Sequence, residues 1–194
     1  MRRRFGSPAH INEPQKRIWA HFGHGASNYC SLSWYDLPER EKVAQFSLPI
    51  QIDQPHTVLV APNAVERVKS HTSLSSLLAD PTLTLGVVDG VSYGPELDAM
   101  ILRSGNLVMR RTVEATSMMR MLSLGRASFM FADRADWNYY RDNNPALRAV
   151  TQQEFPDMPP GMKRHIACSK DVSADTMNRI NAAITSTGGA GQLK

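Results

Sequence analysis

Strands and helices that alternate along the chain predict an α/β fold, on three observations. Thr57 to Ala61 (TVLVA) is a short apolar, β-branched run without helical spacing, the pattern of a buried strand. Leu83 to Val88 (LTLGVV) repeats it, ends in the turn pair Asp89-Gly90, and is followed by Leu97, Met100 and Ile101 at helical spacing. Near the end of the chain Ser173 stands at a cap position and Asp175 suits the positive end of a helix. Met177, Ile180 and Ile184 then share one face before Gly188-Gly189 stops the helix. Such alternation builds sheets covered by helices.

The remaining elements follow in order. Pro14 to Phe22 reads as a short helix, with Asn12 or Glu13 near its cap and Ile18, Trp19 and Phe22 on one face; Gly23 and Gly25 end it. Tyr29 to Trp34 has strand character, and Phe46 to Ile52 is extended and punctuated by Pro49. Leu74, Leu77 and Leu78 recur at helical spacing until Asp80-Pro81, and Ser92 opens the helix that Gly105 closes. Ala115, Met118, Met119 and Leu122 form a helical stripe, which as a methionine stripe belongs to the core. Arg126 to Asp133 (RASFMFAD) is the next strand and leads into a polar helix with Trp137, Tyr139 and Tyr140. Leu147 to Val150 and Lys163 to Cys168 are two further strands, separated by EFPDMPPG.

At 194 residues, with 42% hydrophobic and 21% charged side chains, the chain suits one large domain or two small lobes, not a disordered segment or a coiled coil. The net charge of +4 is scattered, apart from Arg2-Arg3-Arg4 and Arg110-Arg111, and no basic stripe interleaved with aromatics suggests nucleic acid. No apolar run reaches the roughly 18 residues of a membrane span. The three arginines resemble the start of an export signal, but FGSPAHINEPQKR supplies no apolar core, so no signal peptide is expected in the sequence as it stands. Cys30 and Cys168 either pair in an oxidising compartment or serve as small buried apolar residues in a reducing one. His21, His24 and Cys30 do not have recognised metal-site spacing and lack a fourth ligand. With no GxSxG or HExxH motif either, neither an enzyme, a metal nor a cofactor is expected.

Three places carry chemistry suited to a ligand. Ser31 to Pro49 (SLSWYDLPEREKVAQFSLP) sets Glu39, Arg40 and Glu41 on a polar turn between apolar segments, where a guanidinium can grip a carboxylate with two parallel hydrogen bonds. The bland alternative pairs Arg40 with Glu39 or Glu41 on a solvated turn. A strand, the Asp89-Gly90 turn, Ser92 and a helix form the grammar of an anion site, although GVSYG lacks the GxGxxG and GK[ST] nucleotide motifs; Ser92 alone is equally an ordinary N-cap. Asp133 ends a buried strand, where open α/β sheets place ligand groups.

Taken together, SLSWYDLPEREKVAQFSLPI, LGVVDGVSYGPELD, MLSLGRASFMFAD and HIACSKD with its closing helix resemble, in order, an extracytoplasmic (periplasmic) solute-binding protein of the amino-acid-binding type, family 3 of the substrate-binding proteins of ABC transporters. The resemblance implies a type II periplasmic-binding-protein-like fold with lobe 1 formed by residues 1–57 and 165–194, lobe 2 by 58–164, and hinges at Gln54 to His56 and near Arg164. It implies a monomer that captures a small polar or zwitterionic ligand for a membrane permease, with Arg40 on the ligand's carboxylate, Ser33 beside it, Ser92 and nearby amides from the second lobe, and Asp133 on the α-amino group. Trp34, Tyr35, Tyr93 and Trp137 would discriminate the ligand's side chain. Trp34-Tyr35 and Leu37-Pro38 depart from the family's Thr-rich approach to the Glu-Arg turn, and Val91 replaces a frequent hydroxyl residue. The family has a strand-helix-strand unit before the point where this sequence begins, so an incomplete first lobe is expected. The alternative is a sensing or interaction module of a signalling system on the same fold.

Overall fold

The structure, a computed structural model, describes residues 13–189; Arg2 to Arg4 and Asn12 lie outside them. In chain order the elements are α1 (Gln15–Gly23), β1 (Cys30–Trp34), α2 (Pro38–Glu41), β2 (Ala44–Phe46), β3 (Gln51–Ile52), β4 (Thr57–Val60), α3 (Val65–Lys69), α4 (Leu74–Leu78), β5 (Thr84–Val88), α5 (Pro95–Leu102), β6 (Leu107–Arg111), α6 (Ala115–Ser123), β7 (Phe129–Ala132), α7 (Arg134–Asn143), β8 (Thr151–Gln153), β9 (Lys163–Ser169) and α8 (Ala174–Ser186). They form two sheets.

In the first sheet β9 is central, with β1 along one side and β2 followed by β3 along the other, all antiparallel to it. Alternation along β9 divides its faces. Ala167 packs with Trp34, Ala44 and Phe22, bringing α1 onto one face, whereas Ile166 and Cys168 pack with Val172, Met177 and Ile180 under α8. Cys30 and Cys168 are opposite each other in register and are joined by a disulfide across 138 positions of sequence.

The second sheet has the order β6-β5-β7-β4-β8, with β5 parallel to β6 and β7, and β4 antiparallel to β7 and β8. Every residue of β4 and β7 is buried, and Met118, Met119 and Leu122 of α6 pack into the same core with Leu74 and Leu77 of α4. No helix among the described residues is long and apolar enough to cross a membrane.

Several expectations are corrected. Phe46 to Ile52 is two short strands, because the chain bends at Pro49 while Ser47 and Ile50 still donate to the Ile166 and Arg164 carbonyls. Leu147 to Val150 is no strand: Asn144 caps a single turn at Pro145–Leu147, which buries Leu147, and β8 starts only at Thr151. Ser92 does not open α5; Gly94, at φ 95°, and Pro95 at the first helical position do. The short helix α3, with only Val65 and Val68 turned to the core, and the exposed edge strand β6 are additions to the elements the sequence predicts.

Asp171 fastens the loop before β1 to the end of β9, accepting hydrogen bonds from Ser169 Oγ at 2.6 Å, Ser27 Oγ at 2.5 Å and the Asn28 amide at 2.9 Å. These bonds hold its carboxyl at about 2, below the ordinary 3.8. A depressed acid stabilises the fold above its unfolded value and loses that contribution as pH falls through the folded one. The stability difference between the protein and Asp171→Asn is therefore expected in urea titrations near neutrality, shrinking from about pH 4 and gone only below about pH 2. Cys30→Ser with Cys168→Ser is expected to lower unfolding free energy by about 2–5 kcal/mol, since the closed loop is long. Urea denaturation with and without reductant measures it.

Candidate functional site

A cavity of about 70 Å³ lies between the two sheets and brings together Arg40, Trp34, Ser92, Tyr93 and Asp133. Arg40 is carried by the single turn α2, which Pro38 starts, and its side chain folds inward until the residue is only 8% exposed. Its guanidinium carbon sits 4.5 Å from the Trp19 ring centroid and 5.4 Å from that of Trp34, within cation–π range. Its Nη1 donates to the Tyr35 carbonyl at 3.2 Å, and among the described residues it forms no ion pair, with neither Glu39 nor Glu41. Burial lowers its pKa to about 10, so it remains a cation at neutral pH.

On the facing side, Asp133 caps α7: its Oδ1 accepts from the Ala135 and Asp136 amides at 2.8 and 3.1 Å. Its Oδ2 lies 3.8 Å from Arg164 Nη2. Ser92 donates to Asp98 Oδ2 at 2.5 Å and accepts from the Gly94 amide at 3.1 Å, while Asp98 Oδ1 takes the Tyr93 amide. That hydroxyl shapes the loop and has already given away its proton. Tyr93 is buried with its ring edge-on to His56 and Phe131, and burial pushes its phenol up to about 12.

Ser33 lies apart from this cavity. Its backbone takes φ 71°, its carbonyl accepts from Arg164 Nη1 at 2.9 Å, and its side chain lines an adjoining groove of about 360 Å³ shared with Trp34, Asp133 and Arg164. Trp137 is sealed in the core of the second sheet and does not reach the cavity, unlike Tyr35, which lines it.

Sequence reasoning missed the charge network beneath the cavity. Asp53 Oδ2 accepts from Tyr35 Oη at 2.8 Å and Arg164 Nε at 2.5 Å, and its Oδ1 from Gln51 Nε2 at 3.0 Å. The Arg164 guanidinium also covers the Tyr35 ring at 4.3 Å. The partners come from β3, β9 and the segment after β1, so no local motif announces them; the pairing of Gln51 with Arg164 assembles them. At the rim, Lys16 Nζ bonds Asp89 Oδ2 at 2.9 Å, and Gly90, at φ +83°, lies so close to the Lys16 backbone that a Cβ would approach its nitrogen to 2.4 Å. α1 thus lies directly on the turn after β5. Among the described residues no group of three His, Cys, Asp or Glu could hold a metal.

No family model matches the chain, and no curated protein sequence does either. Solved structures do. An ancestral arginine-binding protein bound to glutamine aligns over 92% of this chain and 72% of its own at 18% identity, with a TM-score of 0.69. The substrate binding protein of an amino acid ABC transporter aligns over 92% and 74% at 13% identity, with a TM-score of 0.70. Holo ArgBP from T. maritima aligns over 92% and 71% at 18% identity, with a TM-score of 0.69. This chain has the two-lobe, type II fold of periplasmic binding proteins. In that fold the cavity occupies the cleft between the lobes.

Asp53 has a fully buried side chain, and Arg164 is 17% exposed. Asp53→Ala removes the nearer counter-ion of the guanidinium, leaving it Asp133 at 3.8 Å, and is expected to cost about 3 kcal/mol, whereas Tyr35→Phe, which removes one bond to that carboxylate, is expected to cost about 1 kcal/mol. Unfolding in urea measures both.

Proposed function

We propose that this protein is an extracytoplasmic solute-binding protein: a monomer that captures a small polar or zwitterionic, amino-acid-like ligand between lobe 1 (1–57 and 165–194) and lobe 2 (58–164) and presents it to an ABC-transporter permease. The observation that carries this is Arg40, a buried cation lining the cleft without an anionic partner. A buried charge without a counter-ion is costly, and a ligand carboxylate supplies one through two charge-assisted hydrogen bonds. Asp133 has an oxygen outside its capping role, and an ammonium group fits there. Cation and carboxylate on the same cavity suit a zwitterion. The solved structures add the fold and, for the proteins named above, amino acids as ligands or transported solutes. The disulfide suits an oxidising compartment outside the cytoplasm.

Isothermal titration calorimetry of the oxidised protein against the proteinogenic amino acids tests the reading. At least one is expected to bind, and Arg40→Ala is expected to weaken it by about 10- to 150-fold, the worth of one charge-assisted contact. Absence of binding across the whole set, or unchanged affinity in Arg40→Ala, would overturn it.

A further inference from the structure

His56 is the residue immediately before β4, at the junction between the two sheets, and it is 6% exposed. Its ring is edge-on to Tyr93 at 5.6 Å and lines the cleft cavity. Neither ring nitrogen has a hydrogen-bond partner among the described residues. His56 is also absent from the side chains whose unpartnered polar atoms are sealed from the surface, so its polar edge is open to the cavity. Other neutral groups on the same wall are occupied or sealed: Ser92 bonds Asp98 and Gly94, Tyr35 bonds Asp53, and the unpartnered Trp34 Nε1 is closed off from the surface. Around them the wall is apolar, formed by Val88, Met130 and Phe131.

Burial, reinforced by the Arg164 charge, lowers the pKa of His56 below 6.5 and keeps the imidazole neutral at pH 7. A neutral imidazole offers one N–H and one lone pair, the complement of a hydroxyl, which also donates once and accepts. Arg40 and Asp133 serve the ligand's two charged ends.

Resting on the solute-binding reading, we infer that His56 selects the ligand by hydrogen-bonding a side-chain hydroxyl, so that the preferred solute is a hydroxyl amino acid. An apolar analogue leaves the buried imidazole unpaired, and it is this penalty that discriminates.

Calorimetry with L-serine and L-alanine, on the full chain and two variants, tests it. The unaltered protein is expected to bind serine about tenfold tighter than alanine, the worth of one neutral hydrogen bond. His56→Phe keeps the ring and removes both nitrogens; it is expected to bind the two within about threefold of each other, at the original alanine affinity. His56→Gln, which retains a donor and an acceptor, is expected to keep part of the preference, and it stands in if thermal unfolding shows that the Phe variant is misfolded. A protein that does not prefer serine, or variants that both keep the full preference, would overturn the role of His56. If Arg40→Ala abolishes binding while the His56 variants change nothing, solute binding stands and this inference falls; if neither the screen nor serine shows binding, both fall.

Discussion

The arrangement depends on one buried carboxylate. Asp53 draws together Tyr35, Gln51 and Arg164 at the place where the chain passes between the two sheets. The backbones there are in contact: Asp53 donates its amide to the Met162 carbonyl, and a Cβ on Gly161 would lie 1.9 Å from the Asp53 carbonyl oxygen. Only glycine permits that approach. The geometry fixes how β3 and β9 leave the junction, and hence where Trp34, Tyr35 and His56 stand around the cleft. A buried ion pair is weak evidence for stability by itself, but one whose carboxylate oxygens both accept, from Tyr35, Arg164 and Gln51, favours a single arrangement.

Above this network the cleft is electrostatically lopsided in a useful way. Arg164 is neutralised by Asp53, whereas Arg40 is held by two indole faces and one carbonyl, which lower the cost of burying it without cancelling its charge. Asp133 spends one oxygen on the start of α7, where the helix dipole favours a negative charge, and leaves the other toward Arg164. The cavity therefore contains one cation without an ion pair, two carboxylates, Asp133 and the burial-raised Asp136, and one neutral imidazole.

Much of this was legible in the sequence, for identifiable reasons. β4, β7, α6 and α8 bury continuous or periodic apolar residues, which tertiary packing reinforces. β6 is an edge strand whose residues are mostly exposed, so its composition resembles a loop, and Leu147 to Val150 supplies buried anchors to a turn that a short apolar run cannot distinguish from a strand. Arg40 and Asp133 could be read because each sits in a local pattern. The roles of Asp53 and Arg164 could not, since they arise from pairing across the junction, nor could that of His56, named only as a hinge position, which depends on the cavity around it; Asp98, which accepts the Ser92 hydrogen bond, lay inside a helix expected to begin three residues earlier.

The bare backbone at residue 90 sets how closely α1 approaches the turn after β5. Because Gly90 admits α1 to contact, Lys16 reaches Asp89, and their link is exposed on the lysine side. Mobile ions screen such a link far more than they screen the sheltered Arg40. Added electrolyte would accordingly loosen α1 from the turn after β5 while leaving the surroundings of Arg40 unchanged.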